Sequence, residues 1–412
     1  MEPNRNDNNF EQCIKCTVCT VYCPLAAVNP NFAGPKQAGP DGERYRLKNP
    51  LYYDESLDYC LNCKRCEVAC PSNVKIGDII QRARMKYSKK RPSLRDRILA
   101  CTDIMGRLNT TFAPLVNRIL KLHTTKGVME ALLAIDHRRA FPAYSNHKFT
   151  TWFKMRTWQR NYKHYVTYFH GCYVNYNFPQ LGKDLVRILN ALGYGIHLLD
   201  DEKCCGVALI ANGLTKQATK QGMVNLSSIR KAVVKGEQVV TTSSTCTFTM
   251  RDEYPSVLEL DNADVRDSIV MATKFIYELL DANQVRIAFR DDFHKRVAYH
   301  TPCHMEKLGW AVYSTSLLRM IPGLDLLMLE SQCCGIAGTY GFKKENYTYS
   351  QKIGEDLFKQ IKSMPIEAVA TDCETCKWQI EMSTGIPVEN PISILAEAID
   401  FEKTKKLNKV KS

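Results

Sequence analysis

Residues 13–24 read CIKCTVCTVYCP and residues 60–71 read CLNCKRCEVACP, and these two runs decide how the first part of the chain folds. Both follow the spacing C-x2-C-x2-C-x3-C-P without a change. The three closely spaced thiolates of such a run can bind three irons of one 4Fe-4S cluster, while the fourth cysteine normally binds the other cluster. The repeated run therefore predicts a ferredoxin-like domain with two 4Fe-4S clusters in residues 1–90.

The exchange of the fourth ligand divides the eight cysteines into two sets. We assign one cluster to Cys13, Cys16, Cys19 and Cys70. We assign the other cluster to Cys60, Cys63, Cys66 and Cys23. Zinc in two closed four-thiolate sites is the alternative, but two complete runs that end in Cys-Pro favour iron–sulfur clusters.

The segments around the two runs favour helices and turns over strands. Residues 34–42, GPKQAGPDG, have the composition of a turn. After the second run, apolar residues recur with helical spacing up to about Tyr87, namely Val74, Ile76, Ile79, Ile80 and Ala83. We therefore expect a helix-rich domain here instead of a small β-sheet.

Length and composition are those of an ordinary globular protein. The 412 residues are 45% hydrophobic and 24% charged, which is enough for two or three domains with their own cores. We recognise neither the apolar region of a signal peptide nor a run of about 18 uncharged apolar residues that would span a membrane. We therefore expect a soluble or peripheral protein whose eighteen cysteines mostly bind metal and do not form disulfides.

The positive charge of the chain is concentrated in its middle. Residues 82–163 contain 19 Lys and Arg against 4 acidic residues, whereas the whole chain has a net charge of +13. We predict that residues 91–164 form a basic connector. Such a connector suits an anionic membrane surface or an acidic partner. We expect no nucleic-acid partner, because no recognition motif accompanies the charge.

Two parts of this connector combine apolar and basic side chains. One helical face carries Phe112, Leu115, Val116, Ile119 and Leu120. Further on, Trp152, Phe153, Met155 and Trp158 alternate with Lys154, Arg156 and Arg160. These features are typical of a helix that lies in a membrane interface, and equally of faces that pack on the protein core. The sequence leaves both interpretations open.

The second half of the chain is an internal duplication of a cysteine-rich unit, in residues 165–285 and 286–412. In each copy, three predicted strands lead to a lone cysteine, to a Cys-Cys-Gly sequence and to a C-terminal cysteine motif. The predicted strands are residues 166–170, 196–199 and 238–241 in the first copy, and 297–300, 326–329 and 368–371 in the second. Strands that alternate with helices predict α/β units with parallel sheets. Ligands of such sheets bind beyond the carboxyl ends of the strands.

Each copy therefore gathers thiols into a candidate metal site. The second copy offers five, Cys303, Cys333, Cys334, Cys373 and Cys376. The first copy offers four, Cys172, Cys204, Cys205 and Cys246, because Ser243 stands where the second copy has Cys373. We expect a further iron–sulfur cluster in the second copy, while the serine leaves metal binding in the first copy open. His304 is either a ligand, a proton donor or a structural residue.

The repeated unit resembles the cysteine-rich CCG domain family, which includes heterodisulfide reductase subunits and iron–sulfur subunits of flavin dehydrogenases. Over its whole length the chain is similar to the C-subunit family of anaerobic glycerol-3-phosphate dehydrogenases. The sequences that carry this resemblance are GPKQAGPDGER (34–44), HTPCHMEK (300–307), SQCCGIAGTYGFKKEN (331–346) and TDCETCKWQIEMST (371–384).

The resemblance implies an electron-transfer subunit at the cytoplasmic face of the inner membrane. It would receive electrons from a flavin-containing subunit, assemble with a second subunit and pass the electrons to membrane quinone. It also implies that the CCG units can hold noncubane 4Fe-4S clusters. The chain has no G-x-G-x-x-G after a predicted strand and no G-x-x-x-x-G-K-[ST], so the dehydrogenase active site is expected on another chain. The alternative is an enzyme that reduces a disulfide or quinone directly at a CCG-domain cluster.

Overall fold

Helices build the N-terminal region around the two cysteine runs. The computed structural model describes residues 9–88, 91–155 and 161–410. Residues 9–88 contain no strand and have 3-10 turns at Asn9–Gln12 and Glu55–Tyr59. Their helices are α1 (Val18–Val21), α2 (Gly42–Lys48), α3 (Arg65–Val68) and α4 (Ile76–Tyr87). The predicted helix-rich fold is confirmed.

The apolar spacing after the second run produces α4, as predicted. Ile76, Ile79 and Ile80 are buried in one cluster with Leu57. The prediction of a turn at residues 34–42 is correct only at its start, where Gly34 has a φ of 92°. From Gln37 to Asp41 the chain forms a π-helical turn that continues directly into α2. Gly39 allows this turn to lie against α4, because a Cβ there would be 2.9 Å from Ile76 Cγ2.

The basic connector is also helical. Its helices are α5 (Leu94–Ala100), α6 (Thr102–Thr111), α7 (Ala113–Lys121), α8 (His123–Leu133) and α9 (Phe149–Lys154). Helix α5 begins with a capping box, in which Asp96 N donates to Ser93 Oγ and Ser93 N donates to the Asp96 carboxylate.

Several side chains hold the connector against the second repeat. Arg95 donates two hydrogen bonds of 2.7 and 2.8 Å to the Glu345 carboxylate. Arg139 is fully buried, donates to Gln379 Oε1 and places its guanidinium over the Phe342 ring. The connector is therefore packed on the second repeat.

Two parallel four-stranded sheets with the same topology form the second half. The first contains β1 (His164–Phe169), β2 (Tyr194–Leu198), β3 (Val239–Thr241) and β4 (Ile269–Met271), in the order β2-β1-β3-β4. The second contains β5 (Lys295–Tyr299), β6 (Leu324–Met328), β7 (Ala368–Ala370) and β8 (Val388–Glu389), in the order β6-β5-β7-β8. The matching orders confirm the predicted pair of α/β units. Sequence analysis missed β4 and β8, which have only three and two residues.

Helices flank both sheets. The first unit has α10 (Gly171–Tyr176), α11 (Pro179–Ala191), α12 (Val207–Ala211), α13 (Thr215–Val234), α14 (Ser244–Phe248), α15 (Tyr254–Leu258) and α16 (Ala272–Asp281). The second has α17 (Cys303–Leu308), α18 (Ala311–Arg319), α19 (Lys344–Ser363), α20 (Glu374–Thr384), α21 (Pro391–Ala398) and α22 (Phe401–Leu407). One buried cluster contains residues of both sheets, including Val166, Val240, Val297 and Ala368. The two units therefore share a hydrophobic core.

Candidate iron–sulfur sites

The two ferredoxin-like cysteine runs have the same unusual backbone. Lys15 and Thr17 in the first run have φ angles of 62° and 65°. Asn62 and Lys64, at the same positions of the second run, have φ angles of 56° and 62°. Left-handed backbone is uncommon for residues other than glycine. In the second run it directs the Asn62 amide toward Cys60, whose Sγ accepts a hydrogen bond of 3.4 Å.

The structure brings the cysteines together in crossed sets. Cys70 lies beside Cys19, together with Cys13 and Cys16. Cys23 lies beside the second run and lines one pocket with Cys60, Cys63 and Cys66. This is the arrangement that crossed ligation requires. The assignment of individual ligands to the two clusters remains a prediction.

Burial makes the most enclosed of these thiols, Cys23 and Cys66 among them, depend on a metal for their charge. It raises the pKa of Cys23 to about 12, with the neighbouring Cys63 adding to the effect, and it raises the pKa of Cys66 well above its usual value. A thiol with a raised pKa keeps its proton until a cation binds the thiolate in its place. Two sets of four converging thiols thus fit metal centres with several positive charges.

In the second repeat, the five predicted thiols converge beyond the ends of β5, β6 and β7. Cys334 Sγ lies 3.4 Å from Cys376 Sγ. Cys333 accepts hydrogen bonds from the thiols of Cys303 and Cys334, which hold its pKa well below the usual value. A hydrogen bond from Cys376 is the main cause that lowers the pKa of Cys373 to about 5. The five side chains therefore form one buried network of sulfur atoms.

The four thiols of the first repeat form a similar but smaller network. Cys204 accepts hydrogen bonds from the thiols of Cys172 and Cys205, which lower its pKa well below the usual value, and Cys205 also contacts Cys246. The fifth position is used differently. The Ser243 hydroxyl donates to the Glu374 carboxylate, at 2.9 Å from Oε2, and accepts from Cys246 N.

The second ferredoxin-like run touches the second repeat directly. The thiols of Cys63 and Cys303 are hydrogen-bonded to each other. Beside them, the buried Arg65 donates to Ser331 O at 2.9 Å and forms an ion pair with Glu306. Sequence analysis missed Arg65, because its partners lie more than 240 residues away and leave no local signal.

All nine cysteines of the two repeats, together with Cys63, line one cavity of about 330 Å³. The repeats meet within it, where Thr245 Oγ1 lies 3.6 Å from Cys373 Sγ. Helix α6 covers the first repeat from the side of the connector, since Cys204 N donates to Asp103 Oδ2 at 2.8 Å. The thiol sites thus follow one another from Cys63 of the ferredoxin-like region through the second repeat to the first repeat, with Thr245 between the two repeats.

His304 has a structural environment. Its Nε2 lies 3.3 Å from Asn62 O, and its ring stacks on Phe248 with the ring centres 4.7 Å apart. These contacts join α17 to the second cysteine run. They leave His304 without a demonstrated role as a ligand.

The fold and the cysteine sets define an iron–sulfur protein that combines a dicluster ferredoxin-like region with a duplicated cysteine-rich domain. Residues 9–74 match the family model described as "4Fe-4S dicluster domain", and residues 166–251 and 297–381 match "Cysteine-rich domain". The chain is 59% identical over 396 residues to the C subunit of the anaerobic glycerol-3-phosphate dehydrogenase of Escherichia coli, covering 96% of this chain and 100% of that protein. The chain belongs to the family of these anaerobic glycerol-3-phosphate dehydrogenase C subunits.

Two more distant relatives, both reductase subunits by name, match the chain at lower identity. The B subunit of the CoM/CoB fumarate reductase of Methanothermobacter marburgensis is 25% identical, over 93% of this chain and 70% of that protein. The D subunit of the dihydromethanophenazine:CoB–CoM heterodisulfide reductase of Methanosarcina barkeri is 25% identical, over 57% of this chain and 59% of that protein. The two domain matches and the 59% identical relative support several iron–sulfur clusters in the chain.

The crossed ligation predicts which cluster a single substitution damages. We expect Cys23→Ser to remove about four irons from the reconstituted full chain and to disturb the cluster of Cys60, Cys63 and Cys66, because Cys23 lies in their pocket. Iron analysis and electron paramagnetic resonance after anaerobic reconstitution measure this. Cys101→Ser, outside all four cysteine sets, is the control. Selective damage to the cluster of the first run would contradict the assignment.

The second repeat should lose its metal when its central thiol is removed. We expect Cys334→Ser to lower the iron content and to change the resonance signal of the reduced chain, because this sulfur contacts Cys376 and Cys333. The ferredoxin-like signals should persist. Cys205→Ser makes the corresponding change in the first repeat, and we expect it to have a smaller effect on iron. An iron content and spectrum that Cys334→Ser leaves unchanged would mean that these thiols are structural.

Proposed function

We propose that this chain is the iron–sulfur electron-transfer subunit of a membrane-associated anaerobic glycerol-3-phosphate dehydrogenase. It accepts electrons from a flavin-containing partner subunit and passes them toward quinone at the cytoplasmic face of the inner membrane. A second partner subunit completes the complex. The observation that carries this proposal is the series of thiol sites, from the ferredoxin-like region to a cavity under the connector.

The ends of this series differ in exposure, which gives the proposed path a direction. Cys16 in the first run is exposed, whereas the cysteines of the second repeat are buried or half-buried. The first run itself exposes apolar side chains, including Ile14, Val21 and Tyr22. A partner that docks at this surface would deliver electrons to the cluster of the first run. The electrons would then pass through the cluster that includes Cys63 to Cys303 in the second repeat.

The connector helices supply a surface suited to a membrane. Exposed apolar side chains occupy the outer sides of α6, α7 and α8, namely Ile104, Leu108, Phe112, Leu115, Ile119, Leu122, Val128 and Leu132. We call these residues the connector face. Basic residues such as Arg107, Arg118 and Lys121 accompany them, and an anionic leaflet attracts each nearby basic residue by about 1 kcal/mol. Among the residues that the structure describes, no helix has both the length and the apolar character needed to cross a bilayer.

The aromatic part of the connector contributes less to this surface than the sequence suggests. Trp152 and Phe153 pack against the shared core, and Trp152 also contacts the buried Phe149. Trp152 and Phe153, two aromatic residues of the predicted interface motif, therefore pack on the protein core. Arg156, Trp158 and Arg160 lie outside the described residues.

The inner sides of the same helices support quinone as the acceptor. Met105, Leu120 and Met129 line the cavity that contains the repeat cysteines. Polar groups also face it, since the half-buried Tyr144 hydroxyl is hydrogen-bonded to the Asn109 side chain near Cys172. Apolar walls with a few polar groups are typical of small-molecule sites. A quinone has the matching chemistry, a carbonyl-bearing ring with an apolar tail.

Electron transfer to quinone can be measured on the full chain. After anaerobic reconstitution and reduction with dithionite, we expect decylubiquinone to reoxidise the clusters, each quinone taking up two electrons and two protons. Met129→Trp should slow this reaction about tenfold, because the larger side chain takes space from the quinone and a loss of about 1.4 kcal/mol of binding free energy is tenfold in affinity, while oxidation by ferricyanide stays unchanged. The control is Leu132→Trp, which makes a similar change on the exposed side of α8 and should leave the rate unchanged. Turnover of a disulfide but not of quinone would instead support direct disulfide reduction.

Membrane binding tests the connector face. We expect the full chain to sediment with anionic vesicles, more weakly at high salt but still measurably, because salt screens charges beyond about 8 Å and leaves apolar burial intact. Phe112→Asp combined with Ile119→Asp should abolish the salt-resistant binding. Val234→Asp with Val312→Asp, two exposed apolar residues outside the connector, is the matched control. A chain that ignores anionic vesicles at low salt would make the connector face a docking surface for a partner subunit.

A further inference from the structure

His300 is a fully buried histidine at the end of β5. Its backbone amide donates to Ala370 O at 2.9 Å, which ties the residue to the end of β7. The side chain is 0% exposed. Among the described residues, neither Nδ1 nor Nε2 has a hydrogen-bond partner. Buried polar groups are nearly always paired, so a histidine with two unpaired nitrogens requires an explanation.

Two sulfur atoms close to this imidazole indicate what pairs with it. One ring nitrogen, Cys334 Sγ and Cys376 Sγ all lie within 4.8 Å of one another. The two sulfur atoms are 3.4 Å apart. Nitrogen and two sulfurs in a buried triangle form a donor set that iron accepts, since imidazole and thiolate are both iron ligands. The same two thiols belong to the proposed cluster site of the second repeat.

The equivalent histidine of the first repeat provides an internal comparison. His170 follows β1 as His300 follows β5, and it is likewise largely buried. However, its Nδ1 lies 3.0 Å from Gly171 O and 3.1 Å from Glu202 Oε1. Protein groups thus pair with the histidine in the four-thiol repeat, whereas in the five-thiol repeat the histidine faces the sulfur atoms without a partner among the described residues.

We propose that His300 is an imidazole ligand of the iron–sulfur cluster in the second repeat, beside Cys334 and Cys376. The histidine then completes a mixed nitrogen and sulfur donor set, and the cluster accounts for its unpaired ring. This inference rests on a cluster in the second repeat, as in the proposed function, and is independent of which acceptor receives the electrons. Replacement of thiolate by imidazole raises the reduction potential of other iron–sulfur centres, so His300 favours electron uptake at this site.

Nitrogen ligation has a spectroscopic signature that a structural histidine lacks. The full chain is produced with either ordinary histidine or histidine labelled with nitrogen-15. Both samples are then reconstituted anaerobically, reduced and studied by electron spin-echo envelope modulation. We expect a strong histidine nitrogen coupling that changes with the isotope. His300→Cys should abolish this coupling, retain the iron and lower the reduction potential of the second-repeat cluster. His170→Gln, at the equivalent position, should leave the coupling in place.

Several outcomes would overturn the proposal. The first is a labelled wild-type chain without a directly bound histidine nitrogen, which decides the matter even if no variant folds. The second is a coupling that survives in His300→Cys, and the third is a coupling lost only in His170→Gln. Failure of quinone to reoxidise the reduced chain would contradict the proposed acceptor but would leave the nitrogen coupling unchanged, so the two proposals fail separately.

Discussion

The burial of Arg65 between the ferredoxin-like region and the second repeat is the interaction on which the arrangement of the sites depends. A buried guanidinium is costly unless it is paired and hydrogen-bonded, and Arg65 meets this requirement through Ser331 and Glu306. Lys307 adds an ion pair of 2.9 Å with Glu67, which is also buried. These contacts position α3 against α17 and bring Cys63 to Cys303. Because separation of the two surfaces would leave buried charges unpaired, they fix the distance between neighbouring cluster sites.

The connector can be understood as a layer with two different sides. Its inner side covers the repeats, through Asp103 at Cys204 and through Arg139 at Gln379. Its outer side carries the connector face. Burial raises the pKa of Asp103 to about 6, so this carboxyl group retains a charge at neutral pH and can accept the Cys204 amide hydrogen bond. The connector helices therefore cover the cavity with their inner side and expose the connector face on their outer side.

Sequence reasoning succeeded mainly where the determining pattern was local, although the turn predicted at residues 34–42 is largely helical. The spacing of the cysteine runs, the Cys-Cys-Gly sequences and the alternation of strands and helices each lie within a few tens of residues, and the fold follows them. It could not resolve Trp152, because an amphipathic pattern is the same whether its apolar side meets lipid or the core. It also left the role of His304 open and did not consider His300, which lies four residues before it. Only the packing shows that His304 is paired with Asn62 O while His300 faces two thiols.

The one difference between the cysteine sets of the repeats, Ser243 for Cys373, has a physical reason in the contact between the repeats. The Glu374 carboxyl group is buried and lies beside both residues, and burial with the neighbouring Cys373 raises its pKa to about 8. A second thiolate at position 243 would add negative charge next to this group, whereas the serine hydroxyl donates a hydrogen bond to it. The first repeat therefore has a serine hydroxyl, and not a thiol, at the position that contacts the Glu374 carboxyl group of the second repeat. The two repeats are therefore complementary at this contact: one has five thiols, and the other stabilises the acidic residue beside them.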